Sequence, residues 1–360
     1  MKDTLQRRTP LRGMLRALGT ALLLLSAAGM LSSCDFLSNV LTPPSPPVLG
    51  IAETSGILLG DEIFPGTEVV LDASATSDPN GDPFVLEWQL TVPGASATRL
   101  AEEYLSGTEL RFTPDVPGEY ILTAFLSDGE LDTREEIRLK TGLEAYWNMD
   151  GGIGDSSPGA RNLTLTGSSA SASGRNGSAD SAVQISPADS LSFDTTAAGE
   201  ADTFKIEPGD VTYGNFSMAF WLNLNTLPAA DSSFVTMDNT LVGPAPGWRL
   251  EYISANDELS LTYDDIAPMA AVGEFTASQV SAGSWHHVAV TFHQNTGNLK
   301  IYIDGSSRAL ETNAVDLPHV PAPFTIGNNG VQPGFDGIVD EFHVYNRTLT
   351  SGEIEELAGN

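Results

Sequence analysis

The chain has 360 residues, a formal net charge of −30 and a single cysteine. Its length is sufficient for two domains that each bury a hydrophobic core. The excess of acidic side chains makes nucleic acid and anionic lipid headgroups poor partners, because both would be repelled. With one cysteine no intrachain disulfide can form, so the fold must be stabilised by packing.

The chain begins with a basic segment followed by a short apolar run. Residues 1–16 are rich in Lys and Arg, and residues 17–31 carry no charge. This run is too short for a comfortable membrane span and has the length of a signal-peptide core. It ends in LSSC at 31–34, where a thiol follows small residues. The segment resembles a bacterial lipoprotein signal peptide; an ordinary secretory signal with a chance cysteine is the alternative.

The resemblance implies that residues 1–33 are removed and that Cys34 receives a lipid. We therefore expect a protein anchored by lipid in the bacterial cell envelope, either at the outer membrane and cell surface or on a periplasmic face. Residues 34–47 include TPPSPP, which favours an extended polyproline conformation. This segment is predicted to be a stiff tether.

Residues 48–141 show short alternating strands separated by turn sequences. The strings VLDASATSDPNGD at 70–82, LEW at 86–88 and PGEY at 117–120 resemble the polycystic kidney disease (PKD) domain family. The resemblance implies an immunoglobulin-like β-sandwich with Trp88 as a core anchor.

The sequence DPNGD at 78–82 has two interpretations. It is typical of a tight turn in which Gly81 takes a positive φ. Asp78, Asn80 and Asp82 could instead offer oxygen ligands to Ca²⁺. The turn is the simpler of the two.

Residues 142–360 show a second all-β pattern with longer strands. In FSMAFWLNL at 216–224, large apolar residues alternate with Ser217, Ala219, Trp221 and Asn223, as in a strand with one face in a core. Only the end of the chain is helical in pattern, where Thr350 and Glu353 form a capping box.

This second segment resembles the concanavalin-A-like, laminin-G-like jelly-roll family. The resemblance rests on AYWNMD at 145–150, SMAFW at 217–221, WHHVA at 285–289 and FDGIVDE at 335–341. It implies two stacked sheets and, in many relatives, one structural Ca²⁺ bound where the first and last strands meet. The matching residues are Asp340 and Asp150; in the alternative, Asp340 only accepts backbone hydrogen bonds.

Tryptophan faces can stack on sugar rings. The family pattern places Trp147, Trp221 and Trp285 in strand cores, which favours packing. Trp248 follows the sequence PAPG near a loop and is therefore the candidate for contacting a ligand.

No catalytic residue is predicted. Glycosidases need two carboxyl groups roughly 5–10 Å apart across a cleft. The one string that resembles the signature of catalytic jelly rolls joins Glu130, Asp132 and Glu135, in the first domain and beside a turn. The histidines show no metal-ligand spacing, and His286 and His343 are expected to pack.

The sequence therefore predicts an all-β chain of two sandwiches that binds or adheres without catalysis. The expected ligand of the jelly roll is a carbohydrate or a surface glycoprotein. A structural spacer of the envelope without a small ligand is the alternative, and a polysaccharide-degrading enzyme is the least favoured function.

Overall fold

The first 43 residues precede the part of the chain that the computed structural model describes. The predicted leader and the lipid site Cys34 thus lie outside it, as does His319. The described residues are 44–55, 57–59, 62–63, 66–157, 159–197, 204, 214–238, 247–255, 258–264, 270–276, 280–293, 296–311 and 322–359.

The N-terminal part of the described chain, up to Thr141, is a sandwich of two sheets. Its strands are β1 Ala52–Ser55, β2 Ile57–Leu59, β3 Glu62–Ile63, β4 Val69–Asp72, β5 Val85–Thr91, β6 Glu109–Phe112, β7 Gly118–Ser127 and β8 Asp132–Thr141, with a short 3-10 helix at Glu102–Tyr104. One sheet has the order β1-β4-β6 and the other the order β2-β3-β8-β7-β5. Strand β3 runs parallel to β8, and the other pairs are antiparallel.

Apolar side chains from both sheets meet in one core. Trp88 is 4% exposed within it, and its indole N–H donates to the Gly107 carbonyl at 3.0 Å. The Tyr120 hydroxyl donates to the Val116 carbonyl at 3.0 Å, which is the tyrosine corner of immunoglobulin-like sandwiches. The predicted core anchor is confirmed.

The DPNGD segment forms a tight turn. The Asp78 carboxylate accepts the backbone N–H of Asn80 at 2.7 Å and that of Asp82 at 3.1 Å. Gly81 has φ +83°, a conformation that residues with a Cβ rarely adopt. The turn interpretation is confirmed.

The second sandwich contains the remaining strands and the C-terminal helix. The strands are β9 Leu143–Trp147, β10 Thr164–Thr166, β11 Ala170–Ala172, β12 Ala182–Ile185, β13 Ser190–Phe193, β14 Asn215–Leu224, β15 Ser232–Asp238, β16 Gly247–Ile253, β17 Glu258–Asp264, β18 Ala270–Thr276, β19 Trp285–His293, β20 Asn298–Ile303, β21 Ser306–Glu311, β22 Phe324–Gly327 and β23 Gly337–Tyr345; the helix is α1 Ser351–Gly359.

These strands form two antiparallel sheets. The back sheet has the order β10-β13-β22-β15-β16-β17-β18. The front sheet has the order β11-β12-β23-β14-β19-β20-β21, and β9 also pairs with β23. The core lies between them because every second residue of β14, from Phe216 to Leu224, is apolar and faces the back sheet. The predicted all-β fold of two sandwiches is confirmed.

Helix α1 covers part of the outer face of the front sheet. Its N-terminus is the predicted capping box, in which the Thr350 N–H donates to the Glu353 carboxylate at 2.8 Å and the Glu353 N–H to the Thr350 hydroxyl at 3.3 Å. Ile354 is fully buried among outer-face side chains that include Ala219, Ala289 and Tyr302. The small alanines let the helix pack close to the sheet.

The two sandwiches follow each other directly. A single residue, Gly142, separates β8 from β9, and its φ is +135°. A Cβ at Gly142 would lie 2.8 Å from Cγ of Arg347, so the chain requires glycine at this crossing. Within the described ranges, no helix is long and apolar enough to cross a membrane.

Candidate functional site

A pocket of about 330 Å³ opens on the outer face of the front sheet, beside α1. Strand residues form its floor, the loop between β11 and β12 supplies Arg175, and the N-terminal sandwich supplies Glu62 and Lys140. The floor residues are Tyr146, Trp221, His287, Glu341, His343 and Tyr345.

Strand alternation explains why this floor is aromatic and polar. On β14, Phe220 and Leu222 face the core, so Trp221 between them must point to the outer face. Trp221 pairs with His287 of β19 in the sheet register, and their rings meet edge to face at 5.3 Å between centroids. The indole is only half-buried.

A β-bulge adds a carboxylate to the floor. Strand β23 has one more residue than β14 between the pairs Ala219–His343 and Trp221–Asp340. The extra residue lets Asp340 and Glu341 both lie between the core-facing Val339 and Phe342 of the same strand. Glu341 has φ +52°, a strained conformation of the kind that clusters at functional sites.

Glu341 is held by Tyr146. The Tyr146 hydroxyl donates a hydrogen bond to the Glu341 carboxylate. Burial of the phenol, with this bond and the nearby negative charge, raises the pKa of Tyr146. Tyr146 therefore stays a neutral donor and fixes the direction of the carboxylate.

Arg175 covers the Trp221 ring. Its guanidinium carbon lies 4.8 Å from a ring centroid of the indole, a cation–π arrangement. The backbone N–H of Arg175 donates to Oδ2 of Asp340 at 3.2 Å, which anchors the loop. A Cβ at the preceding Gly174 would lie 2.8 Å from the same oxygen, so only glycine lets the loop come this close.

Two buried histidines complete the floor. Burial lowers the pKa of His287 and of His343 to about 4, so both rings are neutral at pH 7. Nδ1 of His343 donates to the Glu341 carbonyl at 2.9 Å. Nδ1 of His287 is buried without a hydrogen-bond partner among the described residues.

An ion network closes the side of the pocket where the sandwiches meet. The Arg347 guanidinium binds Glu62 of β3 and lies 2.7 Å from Glu353 of α1. Lys140 of β8 lies 3.3 Å from Glu353. Burial alone would lower the pKa of Arg347, but Glu62 and Glu353 outweigh it and raise that pKa.

The tryptophan predictions need correction. Trp248 is 2% exposed and packs against Phe216 at 5.2 Å between centroids, so it is a core side chain and presents no face to a ligand. Trp147 is buried as predicted, whereas Trp221 and Trp285 are only half-buried. The alternation of apolar residues along β14 is the sequence signal that places Trp221 on the outer face of the sheet.

The predicted calcium ligands lie in different surroundings. Asp150 is exposed and contacts Asn148, whereas Asp340 is 4% exposed and accepts the Arg175 amide. Ca²⁺ prefers six to eight oxygen ligands. The Arg175 N–H that binds Asp340 is a hydrogen-bond donor and adds no oxygen ligand. In the described part of the chain, no three His, Cys, Asp or Glu side chains gather to hold a metal. The calcium site stays a prediction that this geometry does not favour.

The remaining motif residues lie outside the pocket. Glu130, Asp132 and Glu135 are exposed at and near the start of β8. His286 contacts Asp304 at 2.9 Å and accepts the Ser281 N–H at 3.1 Å, which is a packing role as expected.

Residues 198–355 match the sequence profile of the concanavalin A-like lectin/glucanases superfamily. The comparison with curated proteins finds no match. Among solved structures, domain 4 of AbnA, a GH43 extracellular arabinanase from Geobacillus stearothermophilus in complex with arabinotriose, has 22% identity and a TM-score of 0.48, covering 60% of this chain and 98% of that one.

Two toxin domains are also similar. The binding domain of Paraclostridial Mosquitocidal Protein 1 has 18% identity and a TM-score of 0.47, and the alignment covers 60% of this chain and 52% of that one. The receptor binding domain of the botulinum neurotoxin C/D mosaic serotype has 15% identity and a TM-score of 0.45, and the alignment covers 61% of this chain and 51% of that one. The chain thus spans about half the length of either toxin domain.

Proposed function

We propose that the protein is a non-catalytic carbohydrate-binding protein of the bacterial cell envelope. Its ligand site is the pocket floored by Trp221, Tyr146 and Glu341. The single observation that carries this proposal is the half-buried Trp221, which stands among polar side chains in a concave site. The profile matched by residues 198–355 supports it, because lectins and glucanases both act on carbohydrates.

The composition of the pocket suits a sugar. A volume of about 330 Å³ lies within the ~300–1,000 Å³ of small-molecule sites. The part of the Trp221 indole that stays accessible beside Arg175 offers an apolar surface to a sugar ring, while Glu341, His287 and Arg175 offer acceptors and donors to hydroxyl groups. Tyr146 and the strained bulge hold Glu341 in place before a ligand arrives, which lowers the entropic cost of binding.

We propose binding without cleavage. Glycosidic hydrolysis needs two opposed carboxyl groups, one of which donates a proton. Three carboxylates of the pocket already have partners: Glu62 and Glu353 bind Arg347, and Glu341 accepts from Tyr146. Such pairing holds these carboxylates in fixed directions, which suits recognition better than the proton donation that acid catalysis requires.

We further propose that Cys34 carries the lipid that anchors the protein, that the Pro-rich segment is its tether, and that the N-terminal sandwich is a PKD-like domain. Labelling of cells with a fatty-acid analogue tests the anchor. The wild-type protein should take up the label and fractionate with membranes, and the Cys34→Ser variant should do neither. Label retained by the variant would contradict the assignment.

The binding proposal is tested with the full-length lipidated protein, purified in detergent, on a glycan array. We expect at least one polysaccharide class to be retained, and no reducing sugar to be released from it. Released sugar would overturn the non-catalytic part of the proposal. A failure to retain any glycan at millimolar concentration would overturn all of it.

The spacer function is the second candidate because of one observation. Gly142 is the whole linker between the sandwiches, and Arg347 ties Glu62 of one sandwich to the other. A short linker and an ion pair of this kind restrict the movement of one module against the other, which a spacer requires. If the protein retains no glycan on the array but does carry the lipid anchor, the spacer function is favoured.

A further inference from the structure

We propose that the pocket recognises a sugar that carries an oxyanion, a carboxylate or a sulfate ester, and that Arg175 binds this group. The inference rests on the proposed carbohydrate-binding function and names the ligand class of the same site. It is carried by an arginine that is held in position and has no ion-pair contact among the described residues.

Arg175 differs from the other two cationic side chains of the pocket, Arg347 and Lys140, because these two form ion pairs with carboxylates. Arg347 and Lys140 are both ion-paired with Glu353. Among the described residues, no carboxylate lies within ion-pair distance of the Arg175 guanidinium, although its backbone N–H is bound by Asp340. Its charge is therefore available to a ligand.

The Arg175 guanidinium is held in place. It lies 4.8 Å from a ring centroid of Trp221, and a cation–π contact of this kind restricts the movement of the planar fork. The loop that carries it is fixed through Asp340 and the close approach at Gly174. A fork presented in this way matches the two oxygens of a carboxylate or sulfate.

His287 provides an independent observation in the same pocket. It is 2% exposed, it lines the pocket beside Trp221, and its Nδ1 has no hydrogen-bond partner in the described chain. Buried polar atoms without partners are rare in native proteins, and each calls for an explanation such as a missing ligand or water. A neutral imidazole can donate to an oxyanion or accept from a hydroxyl group.

General electrostatics would oppose such a ligand. The net charge of −30 repels acidic polymers, so any affinity for them must arise from a local site. Glu341 lies in the same floor and would accept hydrogen bonds from the hydroxyl groups of the sugar. Arg175 and Glu341 therefore select for a ligand with both an anionic group and neutral hydroxyls.

The test uses the full-length protein in detergent and paired probes that differ only in charge. The pairs are polygalacturonate with its methyl ester, alginate with its methyl ester, and a sulfated galactan with its desulfated form. We expect at least one charged member to bind about tenfold or more tightly than its neutral counterpart, the size of a charge-assisted hydrogen-bonded contact. The uronic acid and sulfate pairs separate the two sources of the oxyanion.

Two variants assign the effect to Arg175. Arg175→Gln should remove the preference for the charged probe, and Arg175→Lys should restore only part of it because the planar fork is lost. Arg308→Gln is the matched control, since Arg308 is exposed on β21 and the change in net charge is the same. Melting temperatures of all variants establish that they are folded.

The outcomes separate this inference from the proposed function. If neutral probes bind as well as charged ones, or if Arg175→Gln and Arg308→Gln behave alike, the oxyanion inference is wrong while carbohydrate binding stands. If none of these probes binds, the oxyanion inference is wrong, and retention of a neutral glycan on the array then decides whether carbohydrate binding stands.

Discussion

Tyr146 and His343 lie opposite each other on β9 and β23, with ring centroids 4.2 Å apart and planes inclined by 20°. The same phenol donates to Glu341, and the same imidazole donates to the Glu341 carbonyl. Two stacked rings thus hold both the backbone and the side chain of the bulged residue. The floor of the pocket is preorganised by this arrangement.

Replacement of Trp221 by leucine should lower glycan affinity about tenfold or more, because truncation of a central aromatic residue commonly costs ~2 kcal/mol of binding free energy. Trp285→Leu is the matched control, since Trp285 is also half-buried on the front sheet but does not line the pocket. Titration calorimetry with the retained glycan measures both. Equal losses in the two variants would contradict the site.

Replacement of Tyr146 by phenylalanine should lower the free energy of unfolding by about 1.5–3 kcal/mol, the range for a hydrogen bond to a charged group. The variant leaves the Glu341 carboxylate without its donor. Tyr302→Phe should cost less, because among the described residues the partner of the Tyr302 hydroxyl is the neutral hydroxyl of Ser351, at 3.4 Å. Urea denaturation compares the two, and a smaller loss for Tyr146→Phe would disprove the ranking.

Replacement of Arg347 by methionine should destabilise the protein by about 3–5 kcal/mol, because Glu62 and Glu353 lose the guanidinium that lies between them, while Lys140 still lies 3.3 Å from Glu353. We also expect the two sandwiches of this variant to unfold more independently of each other than those of the wild type. Calorimetry measures both effects.

Two further variants test the cause of that loss. Adding Glu62→Gln to Arg347→Met should restore part of the stability, because one of the two carboxylates that lost the Arg347 guanidinium is neutralised. Arg138→Met is the control, since Arg138 makes ion pairs on the surface and its side chain is 50% exposed. A double variant no more stable than Arg347→Met would refute the charge explanation.

Acid should weaken the fold partly through His343. Burial lowers its pKa to about 4, whereas the unfolded chain takes up the proton near pH 6.5. The unfolded state therefore binds more protons between these values, and the contribution of His343 to stability is lost as the pH falls through that window.

His343→Gln should flatten the decline of stability between pH 6.5 and 4. Urea unfolding at several pH values measures the slope, with His286→Gln as the control at a position that contacts Asp304. A slope unchanged by His343→Gln but changed by His286→Gln would contradict the assignment.

The calcium prediction has a direct test. Since Asp340 binds the amide of Arg175, we expect the melting temperature to be the same in excess CaCl₂ and in EDTA. A rise with calcium that Asp340→Asn abolishes would instead establish the predicted site. Asp132→Asn, on the exposed start of β8, is the control.

Much of the fold follows from local patterns. The alternation in β14 predicts a strand with one buried face, and the Thr350–Glu353 capping box predicts the start of the helix. Which strands pair with each other is harder to predict from the sequence, because strands far apart in the chain become neighbours, as β9 and β23 do. The same alternation places Trp221 on the outer face, where the structure has it half-buried, whereas the resemblance predicts a strand-core position.

The sequence by itself determined the sandwich architecture, because a period of two in hydrophobicity leaves a strand only one way to bury its apolar face. Only the tertiary structure decided the site. Arg175 comes from a loop rich in glycine and serine, Glu341 turns outward at a bulge, and Trp248 closes a core behind them. Each of these positions depends on contacts between segments far apart in the chain, which no local pattern encodes.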